Sequence, residues 1–214
     1  MELLPPRLAS NLIVISLNYR LAPAYPYPAQ IRDMKRAVRC LRAKAATLGL
    51  DPARLGALGT SAGAHLAAML GLTDAGAGWD TGPYLEQSSQ VAAVVDFFGP
   101  VDLTQTFPGL TSAISDGVFG TLSPEAGLLL EASPVTYVNA GDPPYLLIHG
   151  AQDDFVPPSQ SEILRDGLIR AGVPVELVLV QGGRHAFINA AYPVEPSRED
   201  LMEMVAAFFV ERLP

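Results

Sequence analysis

The chain has 214 residues, enough for one domain with a substantial core. Apolar residues make up 49% and charged residues 17%, a composition that argues against intrinsic disorder. Its net charge of −8 suits neither phosphate backbones nor anionic membranes, so we expect no nucleic-acid or membrane partner. No apolar run approaches the roughly 20 residues that span a bilayer, and the first residues lack the pattern of a signal peptide. These features predict a cytoplasmic protein.

Short apolar runs, nearly unbroken and rich in Val, Ile and Leu, indicate strands covered on both faces. They occupy residues 12–17, 55–58, 91–98, 145–148 and 175–180. Amphipathic helical patterns alternate with these runs. We therefore predict an α/β fold with a mostly parallel sheet of about five strands, flanked by helices and connected by right-handed crossovers.

Four helices are predicted between and after these strands. In the first, apolar residues recur at steps of three and four, at Ile31, Met34, Val38, Leu41 and Ala45. The second begins just after Ser61, and the third covers residues 160–171 and ends at Gly172. The last has Ser197 as its N-cap, with Asp200 three residues later.

Two stretches interrupt the alternation. Residues 71–90 are rich in Gly, Thr, Ser and Asp and predict a surface loop. Residues 100–144 are too long for a simple connection, so we expect a small lid-like insertion with a short helix near 124–131. The whole chain, residues 1–214, is predicted to form a single domain.

The only cysteine, Cys40, excludes an internal disulfide and a cysteine metal cluster. Its position within a helical pattern favours buried packing over reactivity. No His/Asp cluster has the spacing of a metal site, so we expect no metal and no cofactor.

Residues 59–63, Gly-Thr-Ser-Ala-Gly, follow a predicted strand and precede a predicted helix. A sharp turn in this setting lifts a serine hydroxyl clear of the sheet, and small neighbours allow the chain to turn tightly. The segment lacks the Gly-Lys-Ser/Thr ending of a phosphate loop. We therefore predict Ser61 as a nucleophile, with the backbone N–H of Ala62 facing an oxyanion.

A nucleophilic serine needs a base, and the chain has three histidines. His65 lies one helical turn past Ser61 and is predicted to pack within a helix. His149 ends a strand and is expected to support a loop through hydrogen bonds. His185 lies in a glycine-containing turn after the last strand, where an imidazole can reach Ser61, so we predict His185 as the base.

The base needs a carboxylate that fixes its tautomer. Asp153 follows the strand that ends at His149, and the order Ser61, Asp153, His185 is the order of this class of fold. Its neighbour Asp154 is the alternative. Asp96 and Asp102, at the end of another strand, are more distant candidates.

Four segments together resemble the bacterial esterase and lipase branch of the α/β-hydrolases, near the feruloyl-esterase-like and hormone-sensitive-lipase-like carboxylesterases. They are residues 18–23 (Asn-Tyr-Arg-Leu-Ala-Pro), 59–66, 149–157 and 183–187. The resemblance covers nearly the whole chain. It implies hydrolysis of carboxylic esters by Ser61, Asp153 and His185, and it implies that Tyr19 and Arg20 belong to the scaffold.

The family normally carries a His-Gly-Gly oxyanion loop ahead of the Tyr-Arg-Leu-Ala-Pro motif, and residues 1–16 contain no glycine. Relative to the family, the chain is therefore expected to lack its first strands and this loop. Losing one oxyanion donor lowers turnover by about 10²- to 10³-fold unless another group, such as Asn18, replaces it. The strand at 12–17 is expected either to close against its neighbour or to leave an edge that a second copy covers in a homodimer.

The predicted function is a carboxylesterase that acts on short acyl or aryl esters of small molecules. Two alternatives remain. One is another hydrolase with the same three residues, such as a peptidase, thioesterase or arylformamidase. The other is a weakly active or non-catalytic remnant. The candidates for a pocket wall are aromatic, although such residues more often belong to the core; they are Trp79, Tyr84, Phe98, Phe107 and Phe119.

Overall fold

The computed structural model describes residues 12–187 and 193–213. Within these ranges the α-helices are α1 (Ala29–Ala43), α2 (Ala45–Leu48), α3 (Ala62–Leu72), α4 (Ala126–Glu131), α5 (Ser159–Ala171) and α6 (Arg198–Arg212). The strands are β1 (Gly56–Thr60), β2 (Ala93–Phe97), β3 (Tyr145–Gly150) and β4 (Val175–Val180). Shorter helical segments are the π-helix Leu110–Phe119 and the 3₁₀ turns Ala75–Ala77, Pro134–Tyr137 and His185–Phe187.

The four strands form one parallel sheet in the order β1-β2-β3-β4. Because the strands are parallel, their carboxyl ends lie at the same edge of the sheet. The residues that follow β1, β3 and β4 therefore meet at that edge, although they are far apart in the sequence. This arrangement is what brings distant side chains into one site.

Helices cover both faces of the sheet. Side chains alternate along each strand, so Val94 and Leu147 enter one core and Val95 and Ile148 enter the other. The first core also takes side chains from α1, α3 and α5, and the second takes its helical side chains from α6. The predicted α/β fold is confirmed as a three-layer arrangement of helices, sheet and helices.

The prediction of a strand at residues 12–17 is wrong. This segment has no partner in the described sheet, which therefore has four strands instead of about five. Ile13, Val14 and Ile15 are 63%, 58% and 40% exposed. An apolar run becomes a buried strand only where a neighbour supplies hydrogen bonds and both faces are covered, and residues 12–17 do not close against β1. The alternative, a second copy that covers this edge, stays a prediction.

Most other predicted elements are found with small shifts. Residues 175–180 form β4 as predicted, and α5 ends at Gly172, which adopts the left-handed conformation of a helix C-cap. The predicted first helix breaks at Lys44 into α1 and α2. Cys40 is only partly buried in α1, so the expectation of a buried thiol is wrong to that extent. Helix α4 matches the short helix expected near 124–131, whereas the π-helix was not predicted.

Helices that are both long and apolar enough to cross a bilayer are absent from the part of the chain that the structure describes.

Helix α6 begins with the predicted cap. Ser197 Oγ accepts a hydrogen bond from the Asp200 N–H at 3.2 Å, and the Asp200 carboxylate accepts one from the Ser197 N–H at 3.1 Å. We expect Ser197→Ala to lower the free energy of unfolding by about 1 kcal/mol, because the Asp200 N–H loses its side-chain acceptor. Urea unfolding measures the change. Ser123→Ala, at an exposed position, is the control and should stay within about 0.5 kcal/mol; equal losses would contradict the cap's contribution.

Candidate active site

Ser61 occupies a sharp turn between β1 and α3. Its backbone has φ 51° and ψ −118°, a conformation that side-chain-bearing residues rarely adopt. Two backbone hydrogen bonds hold the turn: the Ser61 N–H donates to the Phe97 carbonyl at 2.9 Å, and the Ser61 carbonyl accepts from the His65 N–H at 3.0 Å. The turn therefore presents the hydroxyl at the carboxyl edge of the sheet, as the motif predicted.

The two glycines of the motif have different surroundings. A Cβ atom on Gly59 would lie 2.1 Å from the Gly63 carbonyl oxygen and 2.5 Å from the Ala64 nitrogen, so the helix backbone occupies that space. A Cβ atom on Gly63 would meet nothing within 4 Å among the described atoms. Only Gly59 is required by close approach of the chain.

Three side chains from three loops form a continuous line of hydrogen bonds. Ser61 Oγ lies 3.0 Å from His185 Nε2, and His185 Nδ1 lies 2.7 Å from Asp153 Oδ2. Since a carboxylate only accepts hydrogen bonds, the proton sits on His185 Nδ1, and Nε2 is left to accept from the serine hydroxyl. The structure thus brings together the three residues that the sequence singled out.

The Asp153 carboxylate is fully buried and bonded on both oxygens. Its Oδ1 accepts from the backbone N–H groups of Phe155 and Val156 at 2.9 and 3.0 Å. Its Oδ2 faces His185 and also lies 3.4 Å from His149 Nε2. Burial alone would raise the pKa of Asp153. Hydrogen bonds from His149, His185 and Phe155 outweigh burial and hold this pKa well below its usual value.

The loop that carries His185 is attached closely to the end of β3. A Cβ atom on Gly150 would lie 2.4 Å from the Gly183 carbonyl oxygen, so glycine is needed where the two chains touch. The imidazole of His185 lies between two aromatic rings, with ring-centroid distances of 5.0 Å to Phe98 and 4.9 Å to Phe155. These contacts limit rotation of the ring, whose side chain remains 23% exposed.

The other acidic candidates lie outside this line. Asp154 is mostly exposed and pairs with Arg184 at 2.6 Å. Asp96 is buried, and its Oδ1 accepts from the Gly99 N–H at 2.8 Å. Burial raises the pKa of Asp96 to about 6. Asp102 accepts from Thr104 within its own turn.

The two remaining histidines are both buried. His65 Nε2 donates to the Ala132 carbonyl at 2.7 Å, and burial lowers the pKa of this imidazole. His149 Nδ1 lies 2.7 Å from Ser161 Oγ, and its Nε2 lies 2.9 Å from the Val156 carbonyl oxygen. His149 thus supports the loop after β3, as expected. Its approach to Asp153 was not anticipated, because it depends on how that loop folds back.

A cavity of about 210 Å³ opens beside Ser61. Ala62, the first residue of α3, borders it, which places the first turn of a helix N-terminus at the cavity wall. The rest of the wall is mostly apolar and comes from Tyr19, Leu21, Tyr27, Gln30, His65, Leu66, Ile114, Gly117, Val118 and Phe155.

The aromatic residues suggested for the pocket wall do not line this cavity, although all five are described. Trp79 makes T-shaped contacts with Tyr27 and Tyr137, and the others lie in the core or in loops. Tyr19, which was predicted to belong to the scaffold, also borders the cavity, whereas Arg20 forms an ion pair with Asp33. Asn18 is exposed and is not part of the cavity wall.

A larger hollow of about 600 Å³ lies at the opposite edge of the sheet, where β3 and β4 begin and α6 ends. It contains none of the three hydrogen-bonded residues of the carboxyl edge. Among the described residues, no group of three or more His, Cys, Asp or Glu side chains is arranged to hold a metal ion.

A parallel sheet between two layers of helices, with a serine on a strained strand-to-helix turn, defines an α/β-hydrolase fold. The chain belongs to the BD-FAE family, whose model matches residues 3–168. It is 33% identical over 187 residues to the esterase LipQ of Mycobacterium tuberculosis, covering 84% of this chain and 44% of that protein. The probable carboxylic ester hydrolase LipM of the same organism is 31% identical over 185 residues, covering 82% and 42%.

Solved structures of esterases share the fold. A truncated form of a carbohydrate esterase from gut microbiota superimposes with a TM-score of 0.71 at 31% identity, covering 92% of this chain and 73% of that one. An acetyl ester-xyloside bifunctional hydrolase from Caldicellulosiruptor lactoaceticus superimposes with a TM-score of 0.76 at 28% identity, covering 91% of this chain and 70% of that one. The chain spans less than half the length of LipQ and LipM.

The two glycines of the turn make a matched pair of variants. We expect Gly59→Ala to lower the free energy of unfolding by roughly 1–3 kcal/mol, because its methyl group would overlap the backbone of α3. Gly63→Ala should change stability far less. Urea unfolding of both variants measures the difference. Equal free energies of unfolding would contradict the prediction, because the backbone near Gly59 would then accept a methyl group without destabilising the fold.

The raised pKa of Asp96 predicts that the stability of the fold depends on pH. Since its folded pKa is about 6, against 3.8 for a free aspartate, the folded state binds the extra proton between these values. The contribution of Asp96 to wild-type stability is therefore lost as pH rises through this window, and Asp96→Asn lacks this loss. We expect the variant to gain on the order of 2 kcal/mol relative to wild type between pH 4 and pH 8. Urea unfolding at both pH values measures this, and a pH-independent difference would contradict it.

Proposed function

We propose that this protein is a carboxylic ester hydrolase in which Ser61 is the nucleophile, His185 the general base and acid, and Asp153 the residue that orients His185. The observation that carries the proposal is the line of hydrogen bonds from Ser61 through His185 to Asp153, at 3.0 and 2.7 Å, beside a cavity. Membership of the BD-FAE family and similarity to named esterases support the same chemistry.

The reaction proceeds in two halves. Ser61 Oγ attacks the ester carbonyl carbon while His185 Nε2 takes the hydroxyl proton. The tetrahedral intermediate collapses as His185 returns that proton to the leaving alkoxide, and an acyl-serine remains. Water then attacks the acyl carbon while His185 takes its proton. His185 returns that proton to Ser61 Oγ as the bond between the acyl carbon and Oγ breaks, which releases the carboxylic acid and free Ser61. Asp153 stabilises the imidazolium in both halves through its bond to Nδ1.

The backbone N–H of Ala62 is proposed as a donor to the oxyanion. Two features support this role: Ala62 follows the nucleophile directly, and it is the first residue of α3, where N–H groups lack partners within the helix. The helix dipole adds positive potential at this position.

The size and lining of the cavity favour short acyl or aryl groups. Its volume of about 210 Å³ is below the roughly 300–1,000 Å³ of sites that enclose drug-sized ligands. Its walls include Leu66, Ile114 and Val118, which offer apolar contacts to the hydrocarbon part of an ester. Long acyl chains would extend beyond this volume.

A fluorophosphonate probe tests the nucleophile. We expect covalent labelling of the folded protein at Ser61, located by peptide mass spectrometry, and no labelling of Ser61→Ala. Asp153→Asn should lower kcat by roughly 10⁴-fold, because the amide favours the wrong tautomer of His185. Asp154→Asn is the matched control and should retain activity, since its carboxylate pairs with Arg184. Labelling elsewhere, or equal losses in both Asp variants, would refute the assignment.

A substrate panel tests the bond that is cleaved. Turnover of p-nitrophenyl acetate and butyrate should exceed that of the octanoate ester, and peptide and thioester substrates should be poorer. A preference for peptides or thioesters would favour the related hydrolase classes. If wild type and Ser61→Ala show the same background turnover of every substrate, the protein is a non-catalytic remnant.

A further inference from the structure

His149 is a fully buried histidine that has no part in the proton transfers proposed above. It lies on β3, one residue before the strand ends, and both of its ring nitrogens have polar neighbours. Nδ1 faces Ser161 Oγ on α5 at 2.7 Å, and Nε2 faces the Val156 carbonyl oxygen at 2.9 Å. The ring therefore connects the sheet, α5 and the loop that carries Asp153.

The partners of His149 determine which nitrogen donates. A backbone carbonyl only accepts hydrogen bonds, so His149 Nε2 carries a hydrogen and donates it to Val156. Ser161 can donate its hydroxyl hydrogen to Nδ1, which satisfies the other side of the ring. Ser161 is also buried, so water does not compete for this contact.

The same Nε2–H group lies beside the carboxylate of Asp153, the residue proposed to orient His185. Asp153 Oδ2 is 3.4 Å from His149 Nε2 and 2.7 Å from His185 Nδ1. The second oxygen, Oδ1, is held by the N–H groups of Phe155 and Val156. His149 therefore contacts Asp153 in two ways. Its Nε2 lies near the Asp153 carboxylate, and it also bonds to the Val156 carbonyl, while the Val156 N–H donates to Asp153 Oδ1.

We propose that His149 is a positioning residue: its Nε2–H donates to the Val156 carbonyl and lies 3.4 Å from Asp153 Oδ2, and these contacts hold the Asp153 loop so that Oδ2 faces His185. This inference rests on the proposed function, because it assigns a role in orienting the base of that reaction. The ring of His149 does not reach Ser61, and it acts through Asp153. Misplacing a reacting group by about 1 Å can cost on the order of 10²-fold in rate, so a donor three contacts away from the nucleophile can control turnover.

Two amide variants of His149 test whether its side chain acts through the Nε2–H donor or only fills space in the core. In His149→Gln the side-chain amide nitrogen reaches the position of Nε2, so the donor to Val156 and Asp153 is retained. In His149→Asn the amide is one methylene shorter and remains near Ser161, so the donor is lost. Both side chains are polar and smaller than imidazole, and their volumes differ by one methylene.

The experiment measures kcat and KM for p-nitrophenyl acetate, with kcat expressed per serine labelled by the fluorophosphonate probe. It also records the downfield proton NMR resonance of the His185 Nδ1–H group bonded to Asp153. We expect His149→Asn to lower kcat by roughly 10- to 100-fold with little change in KM, and to shift or remove the downfield resonance. His149→Gln should retain the resonance and most of the activity.

Equal kcat values for His149→Asn and wild type, or equal losses in the two variants, would overturn the inference. Ser161→Ala is a second variant in case the amide variants do not fold. It frees the imidazole to rotate and should lower kcat while leaving the cavity unchanged, and an unaltered kcat together with an unaltered resonance would also overturn the inference. The NMR readout needs no turnover. An inactive wild type would therefore refute the proposed function, while the resonance would still test the position of Asp153.

Discussion

The hydrogen bond between Asp153 and His185 is the contact on which the arrangement at the sheet edge depends. It joins two loops that follow different strands, and the backbones of those loops are also bonded to each other. The Ala151 N–H donates to the Val180 carbonyl and the Gln152 N–H donates to the Gly183 carbonyl, both at 2.9 Å. The imidazole is therefore positioned by paired backbones as well as by its carboxylate partner. Because Gly150 has no side chain, the two loops can approach this closely.

Strained backbone conformations are concentrated at the same edge. Positive φ angles occur at Ser61, Phe98, Ala186 and Phe187, each of which carries a side chain. Such conformations persist where the surrounding structure over-determines them. Here the support comes from aromatic packing, since the Phe98 ring contacts both His185 and Phe187 at centroid distances of 5.0 and 5.2 Å. The packing that stabilises these turns also restricts the ring of His185.

The sequence predicts the inner part of this molecule better than its margins. Strand β4 and the end of α5 are predictable because apolar run length and a C-cap glycine are local signals. Ser61, Asp153 and His185 are predictable because each follows a recognisable strand in the order typical of the fold. Residues 12–17 carry the same apolar signal as a strand, but pairing depends on a neighbouring strand, which lies outside any local pattern. The π-helix Leu110–Phe119 also has no simple periodic signature.

The cavity wall shows why specificity is harder to derive than chemistry. Tyr19 and Tyr27 precede the sheet in the chain, Ile114 and Val118 belong to the π-helix, and Phe155 follows β3. These segments are brought together by tertiary packing, for example by the hydrogen bond of 2.8 Å from the Tyr27 N–H to the Val118 carbonyl. Substitutions in these segments can therefore change the volume beside Ser61 without touching the residues proposed to move protons. The residues proposed for the reaction lie at strand ends, whereas most of the cavity wall comes from segments outside the sheet.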